Sequence, residues 1–253
     1  VELNDKVIFA DNGIEMIFVA SNGYFFNPAT STLGSMVQTG WFAAATVTYM
    51  DGYFIFNRTG TGQFFISELF SHVIDPIDWA TGEAAPDDTV AVVVASRQLW
   101  VIGERTTEVW YDSGDPSFPF TRISGSITDI GCSNYRTVAT IRSNVFFVGE
   151  DFNVYQTQGY QPKRISTSSV EFQITRSDVS KLTAFTYTEE GHWFYCITID
   201  DNLTYVYDMD TAQWHRRRSA ELGRWQIQGA FNLLNTHRPF GFNGPNLYEL
   251  SID

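Results

Sequence analysis

Nine residues, Tyr-Asp-Met-Asp-Thr-Ala-Gln-Trp-His from Tyr207 to His215, raise the question of a bound metal. Asp208, Asp210 and His215 offer two carboxylates and an imidazole, a set that manganese, iron or zinc accepts. The competing reading is a turn, in which Asp, Thr and Gln fold the chain back between two strands while Tyr207 and Trp214 pack the layer below. Paired acids suggest a second chemistry. Glycoside hydrolysis needs two carboxylates about 5 to 10 Å apart, and Asp87-Asp88, Glu150-Asp151, Glu189-Glu190 and Asp200-Asp201 are candidates. Each pair sits where a turn is expected, and acids are common in turns for solvation. Nucleophile and nucleotide machinery has no anchor, because the chain lacks Gly-x-Ser-x-Gly, Cys-x-x-Cys, His-Glu-x-x-His and a phosphate-cradling glycine loop. His72, His192, His215 and His237 scatter without ligand spacing, and Cys196 between Tyr195 and Ile197 reads as a small core residue. The expectation is therefore no catalytic, metal or cofactor-binding residue.

Two features read instead as contact surfaces. The run His215-Arg216-Arg217-Arg218, with Arg224 close by, is cationic in an acidic chain. On a strand its alternate side chains point to opposite faces and cannot all form one patch; the run reads either as a solvated outer strand or, through Arg216, Arg217 and Arg218, as a contact with an acidic partner, another copy of this protein included. The stretch Asp75 to Thr89 is acidic, contains Pro and is too long for a hairpin turn, so it reads as a loop between repeats, with Asp75, Asp78 and Trp79 as contact residues. Asn57-Arg58-Thr59 and Asn202-Leu203-Thr204 match the glycosylation triplet, a pattern that often arises by chance.

Composition narrows the class. The chain has 253 residues, 43% hydrophobic and 16% aromatic, enough for one packed domain spanning 1–253. A net charge of -13 repels phosphate backbones and anionic lipid, which argues against a groove that grips nucleic acid. Cys132 and Cys196 are too few for a disulfide framework and are expected as free thiols made in a reducing compartment. The longest aliphatic run, Val90 to Ala95, falls far short of the roughly 18 apolar residues of a membrane span. Val1-Glu2-Leu3 carries neither an initiator Met nor a signal-like pattern and reads as part of a longer chain.

The elements that position these residues are short strands. Ile14 to Val19, Tyr53 to Phe56, Leu99 to Ile102 and Val145 to Val148 carry the apolar pattern of short strands, and Ser21-Asn22-Gly23, Asp51-Gly52, Gly103-Glu104, Gly149-Glu150 and Asn243-Gly244 read as turns. The blocks also repeat. Ala95 to Glu104 returns as Ile141 to Glu150, and Thr121-Arg122-Ile123-Ser124 returns as Lys163-Arg164-Ile165-Ser166. Six blocks begin near residues 6, 43, 90, 135, 181 and 226. Periods of ~40 to 50 residues with about four strands each mark a β-propeller, so the expected fold is all-β and six-bladed. The sixth block is short of a strand, which Val1-Glu2-Leu3 or upstream residues would supply. Ser168-Ser169-Val170-Glu171 has capping-box spacing and predicts a short helix between the fourth and fifth blocks. Phe26 to Leu33 occupies in the first block the place of Tyr207 to Trp214 in the fifth, with Asn27 for Asp208 and Ala29 for Asp210. A turn explains both copies; a metal explains one.

The central stretch from Thr106 to Thr167 resembles the packaged DNA stabilisation protein of short-tailed bacteriophages, the tail hub or nozzle family. The resemblance rests on Arg105-Thr106-Thr107-Glu108-Val109, Phe118-Pro119-Phe120, Ile130-Gly131-Cys132, Asn144-Val145-Phe146-Phe147 and Gly159-Tyr160-Gln161-Pro162-Lys163-Arg164-Ile165-Ser166. It implies a structural virion protein without enzymatic activity or cofactor, made in the host bacterial cytoplasm. Such hubs form a ring, commonly a hexamer. They sit below the portal and head-completion adaptor, contact tailspikes or fibres and the tail needle, and retain DNA that passes through without specific binding. The matching residues are strand and turn scaffold, so the resemblance transfers no site. The alternative is a carbohydrate-binding or glycoside-hydrolase-like propeller with exposed Trp and paired acids on one rim.

Overall fold

The computed structural model describes residues 6–20, 22–82, 86–232 and 239–250. Strands form where apolar and aromatic residues run between Gly- and Asp-containing turns, and they pair in chain order as six antiparallel meanders. The first contains β1 (Ile8–Asp11), β2 (Met16–Ala20), β3 (Asn22–Asn27) and β4 (Thr32–Ser35). The second contains β5 (Val47–Met50), β6 (Tyr53–Arg58), β7 (Gln63–Ile66) and β8 (Trp79–Thr81), and the third β9 (Thr89–Ala95), β10 (Gln98–Gly103), β11 (Thr107–Asp112) and β12 (Phe120–Arg122). The fourth contains β13 (Ala139–Ile141), β14 (Asn144–Val148), β15 (Val154–Gln158) and β16 (Gln161–Arg164), followed by α1 (Ser168–Thr175). The fifth contains β17 (Thr183–Glu189), β18 (His192–Ile199), β19 (Leu203–Asp208) and β20 (Gln213–Arg217). The sixth contains β21 (Gly229–Asn232), β22 (Pro239–Asn243) and β23 (Asn246–Glu249). This is a six-bladed β-propeller, with five four-stranded blades and three strands described in the sixth. The expected closing strand at Val1-Glu2-Leu3 lies outside the described residues.

The chain divides into two compact units, residues 1–135 with 159–161, and residues 136–158 with 162–253. In the first, Phe54, Phe56 and Phe65 are fully buried. Phe56 and Phe65 stack at 5.0 Å, and Trp41 meets both edge-on at 5.4 and 5.7 Å. Each fully buried Phe contributes roughly 2 to 3 kcal/mol of transfer free energy. Asn22 and Gly23, read as a turn, belong to β3. The missing side chain of Gly23 admits the indole, since a Cβ there would lie 2.4 Å from a Trp41 ring carbon. In the second unit Phe146 stacks on Tyr195 at 5.0 Å, and Val170 and Ile174 of α1 are buried in the same cluster. The Tyr195 hydroxyl donates to the Thr137 carbonyl at 2.9 Å, so this buried ring keeps its polar end satisfied.

The internal repeat extends to individual hydrogen bonds. Ile123 donates its N–H to the Val109 carbonyl as Ile165 does to Val154, at 2.8 and 2.9 Å. Ser126 and Ser166 accept from the N–H groups of Val109 and Val154, both at 3.1 Å. A polar staple joins the second and third blades inside the first unit. Asn57, 1% exposed, accepts through Oδ1 from Ala45 N, Thr46 N and Thr46 Oγ1, and donates through Nδ2 to the carbonyls of Thr89 and Val90. The glycosylation triplet at Asn57 is thus a buried structural amide.

Two local expectations are corrected. The stretch from Asp75 is not one loop, because β8 lies within it and pairs with β7, Trp79 opposite Phe65. The β-propensity of Trp-Ala-Thr and the open edge of β7 outweigh the acidic flanks. The helix forms as expected between the fourth and fifth blades, but without the capping box. Its N-cap is Thr167, with no side-chain cap bond. Glu171 turns away to accept from Arg164 Nε and NH2 at 2.8 and 2.6 Å and from Ser166 Oγ at 2.7 Å. A charge-assisted pair outcompetes a neutral backbone N–H.

Candidate functional site

The Asp208–Trp214 turn is built as an Asx turn. Asp208, the last residue of β19, accepts through Oδ1 from the N–H groups of Asp210 and Thr211 at 2.9 and 3.4 Å. In the first blade Asn27 accepts likewise from Ala29 and Thr30 at 3.0 and 3.3 Å. The histidine at this turn is not His215. That residue pairs with Val206 on the neighbouring strand and meets the Phe194 ring edge-on at 6.1 Å. Burial first, then the Arg217 charge, lowers its imidazole pKa. His192 takes the place instead. It opens β18 after a tight turn at Glu190 and Gly191, both at positive φ. Its Nδ1 lies 2.9 Å from Asp208 Oδ2 and 4.0 Å from Asp210 Oδ2. Asp210 Oδ2 also accepts from Trp193 N at 3.2 Å. Burial alone would raise the Asp208 carboxyl, but bonds from Asp210, Thr211 and His192 outweigh it and hold the group below its usual range. The sequence signal for His192 was there only in register: Phe194 pairs with Asp208, so the residue two before it reaches the turn.

Most carboxylates of the paired acids hold structure. Asp87 accepts from the N–H groups of Arg105 and Thr106 at 2.8 and 3.0 Å. Asp151 accepts from Asn153 N and from the Tyr155 hydroxyl. Asp200 accepts from Asp178 N at 2.9 Å, and Asp201 pairs with Arg224 at 2.6 Å. Glu189 is buried and pairs with Arg217 at 2.7 Å. The arginine run divides as its alternation requires. Arg217 turns inward, its guanidinium over the Trp225 ring at 4.6 Å and donating to the Tyr187 hydroxyl, whereas Arg216 and Arg218 are exposed. Cys132 and Cys196 are buried thiols. Burial pushes the Cys196 thiol pKa well up, which removes its reactivity.

The other concentration of surface chemistry is the segment between β7 and β8 in the first unit. Leu69, Phe70, Val73 and Ile77 are exposed, Phe70 at 60% and Ile77 at 76%, and Trp79 follows them outward. The segment is held by its own bonds: Glu68 N to Val73 O, Phe70 N to Gly52 O, both at 2.7 Å, and Ile77 N to Asp75 Oδ1 at 3.1 Å. Phe70 sits at φ 56, a conformation a bulky residue adopts only when its surroundings impose it. Asp75 and Asp78 lie half-buried beside these apolar tips. Burial, then the charges of Asp75 and Glu68, raises the Asp78 carboxyl pKa. Of the seven Trp, Trp79 is exposed, Trp100 and Trp110 are buried, and the others are half-buried. Among the described residues no helix is long and apolar enough to cross a membrane.

Comparison with known proteins places this architecture. Solved structures share its fold at low identity. The computationally designed Ika8 protein matches with a TM-score of 0.54 and 11% identity, over 98% of this chain and 71% of that one. A chain of the mitotic checkpoint complex matches at 0.60 and 11%, over 96% and 78%, and BamB from Moraxella catarrhalis at 0.50 and 8%, over 95% and 80%. No curated protein sequence matches. Residues 3–229 match the family described as bacteriophage P22 Gp10, beta-propeller, a phage stabilisation family. The chain therefore belongs to the bacteriophage P22 Gp10 β-propeller family, and its role is a structural one in the phage virion.

Proposed function

We propose that this chain is the propeller part of a tail hub or nozzle, one domain over 1–253, joining the head-completion adaptor to the tail needle and tailspikes and helping retain packaged DNA. It works by docking. The observation that carries this reading is the ordered, solvent-facing apolar segment from Leu69 to Trp79, beside the acids Asp75 and Asp78. A large exposed apolar patch rimmed by polar groups is the usual mark of an interaction surface. Burial first, and then the charges of Asp75 and Glu68, raise the Asp78 pKa, and a cationic partner would relieve the second of these causes. Arg216 and Arg218 on the fifth blade are exposed cations. Acids of one copy meeting arginines of the next make a head-to-tail contact, the kind that closes into rings. The net charge of -13 suits a conduit that DNA passes without sticking.

Native mass spectrometry of the full-length protein, alone and with adaptor, needle and tailspike proteins, tests the proposal. Ring assembly is expected, weakened by Ile77→Asp and by Arg216→Glu with Arg218→Glu, and stable to either set only if the docking faces lie elsewhere. A monomer that joins none of these proteins refutes it. So does sugar turnover abolished by a single carboxylate substitution, which a glycan and hydrolysis screen would reveal.

A further inference from the structure

We propose that His192, Asp208 and Asp210 form a divalent-cation site at one end of the fifth blade. It takes a borderline metal of the zinc class through one imidazole nitrogen and one oxygen from each carboxylate. The three ligand atoms lie within 4.8 Å of one another. Metal bonds of about 2.1 Å place ligand atoms about 3 to 3.5 Å apart. The separation of 2.9 Å between His192 and Asp208 already fits, and that of 4.0 Å to Asp210 closes with a small swing of an exposed side chain. The donor set of one nitrogen and two hard oxygens matches zinc or manganese and disfavours the softer copper(I).

The turn does not need all three residues. The first blade builds the same Asx turn with Asn27 alone, so the second acid and the histidine are surplus to its geometry. Asp208 and Asp210 bring two carboxylates to one imidazole, three donors that a single cation can take together. One of the two, Asp208, is only 8% exposed. It is also preorganised: its Oδ1 is pinned by two backbone N–H groups, which leaves Oδ2 aimed at His192, the outer support that metal ligands usually have. A second observation points the same way. Glu189, the cross-strand partner of His192, is buried, with Oε2 on Arg217 and Oε1 without a hydrogen-bond partner. The unsatisfied oxygen belongs to the sheet face that carries His192, and a water held by a cation there would satisfy it.

Binding exchanges the His192–Asp208 hydrogen bond for metal bonds, and a proton held at Nδ1 passes to Nε2 or to solvent. The ion would tie the β17–β18 turn to the β19–β20 turn. Chelator-treated full-length protein titrated with zinc by calorimetry is expected to bind one ion per chain and to melt at a higher temperature with zinc than without. His192→Ala and Asp210→Asn should each weaken zinc binding on the order of 100-fold, and the rise in melting temperature on adding zinc should disappear in both. His215→Ala should bind as the parent does. No saturable zinc binding, binding kept by both His192→Ala and Asp210→Asn, or binding lost in His215→Ala would overturn the site.

Discussion

Replacing Asn57 tests how the second and third blades are joined. The side chain is fully enclosed and makes five hydrogen bonds, three as acceptor at 2.8 to 3.0 Å and two as donor at 3.1 and 3.3 Å. Each such bond contributes about 0.5 to 1.5 kcal/mol, and a stranded buried N–H costs about 1 to 3 kcal/mol. Asn57→Ala strands the N–H groups of Ala45 and Thr46. The Thr46 hydroxyl, which also accepts from Val92 N at 3.0 Å, can reorient, and the two carbonyls lose only a donor. The sum is about 4 kcal/mol, or about 8 to 16 °C in melting temperature for a chain of this size. Urea unfolding followed by circular dichroism reads it directly. Asn57→Asp separates the two halves of the network: it keeps an acceptor oxygen but turns a second oxygen, and a buried charge, toward the carbonyls of Thr89 and Val90. Its folded-state pKa should rise, so this variant regains stability as the pH falls. A cost under about 1 kcal/mol for Asn57→Ala, or an Asp variant indifferent to pH, would refute the reasoning.

Further outcomes follow from the same geometry. Arg217→Met removes the ion-pair partner of buried Glu189 and should cost about 2 to 4 kcal/mol in thermal or urea unfolding. Arg216→Ala and Arg218→Ala, on exposed side chains, should stay within about 0.5 kcal/mol. A thiol reagent should label neither Cys132 nor Cys196 in the native protein and both after denaturation, as burial of each requires. Asp178 caps the turn at Val179–Lys181, and its bonds from Ser180 lower its pKa below the usual 3.8. Its contribution should therefore be present above that ordinary value and fade as the pH falls through the lower folded one, a dependence that Asp178→Ala removes.

Periodicity carried the architecture because each blade is a local event. Strand, turn and strand lie within ten or so residues of one another, and a meander needs only nearest neighbours to pair. The first strands of the six meanders open at Ile8, Val47, Thr89, Ala139, Thr183 and Gly229. What the sequence hid depends on register and on contacts across blades. Asn57 showed only a chance-prone glycosylation triplet, because nothing local reveals that Thr46 and Thr89, 11 and 32 positions away, will enclose it. Arg217 looked like one of three surface cations until strand alternation turned it onto Glu189, 28 positions back. His215 looked like the third ligand because it is near Asp210 in sequence, but β20 carries it away along the strand. His192, 16 positions before Asp208, arrives instead because two turns at the same end of one sheet stack. The same logic sets where this fold can gain a function. Blade cores are fixed by the repeat, so new chemistry accumulates at the turns, where strands distant in sequence end side by side and a single substitution adds a ligand without disturbing the ladder beneath.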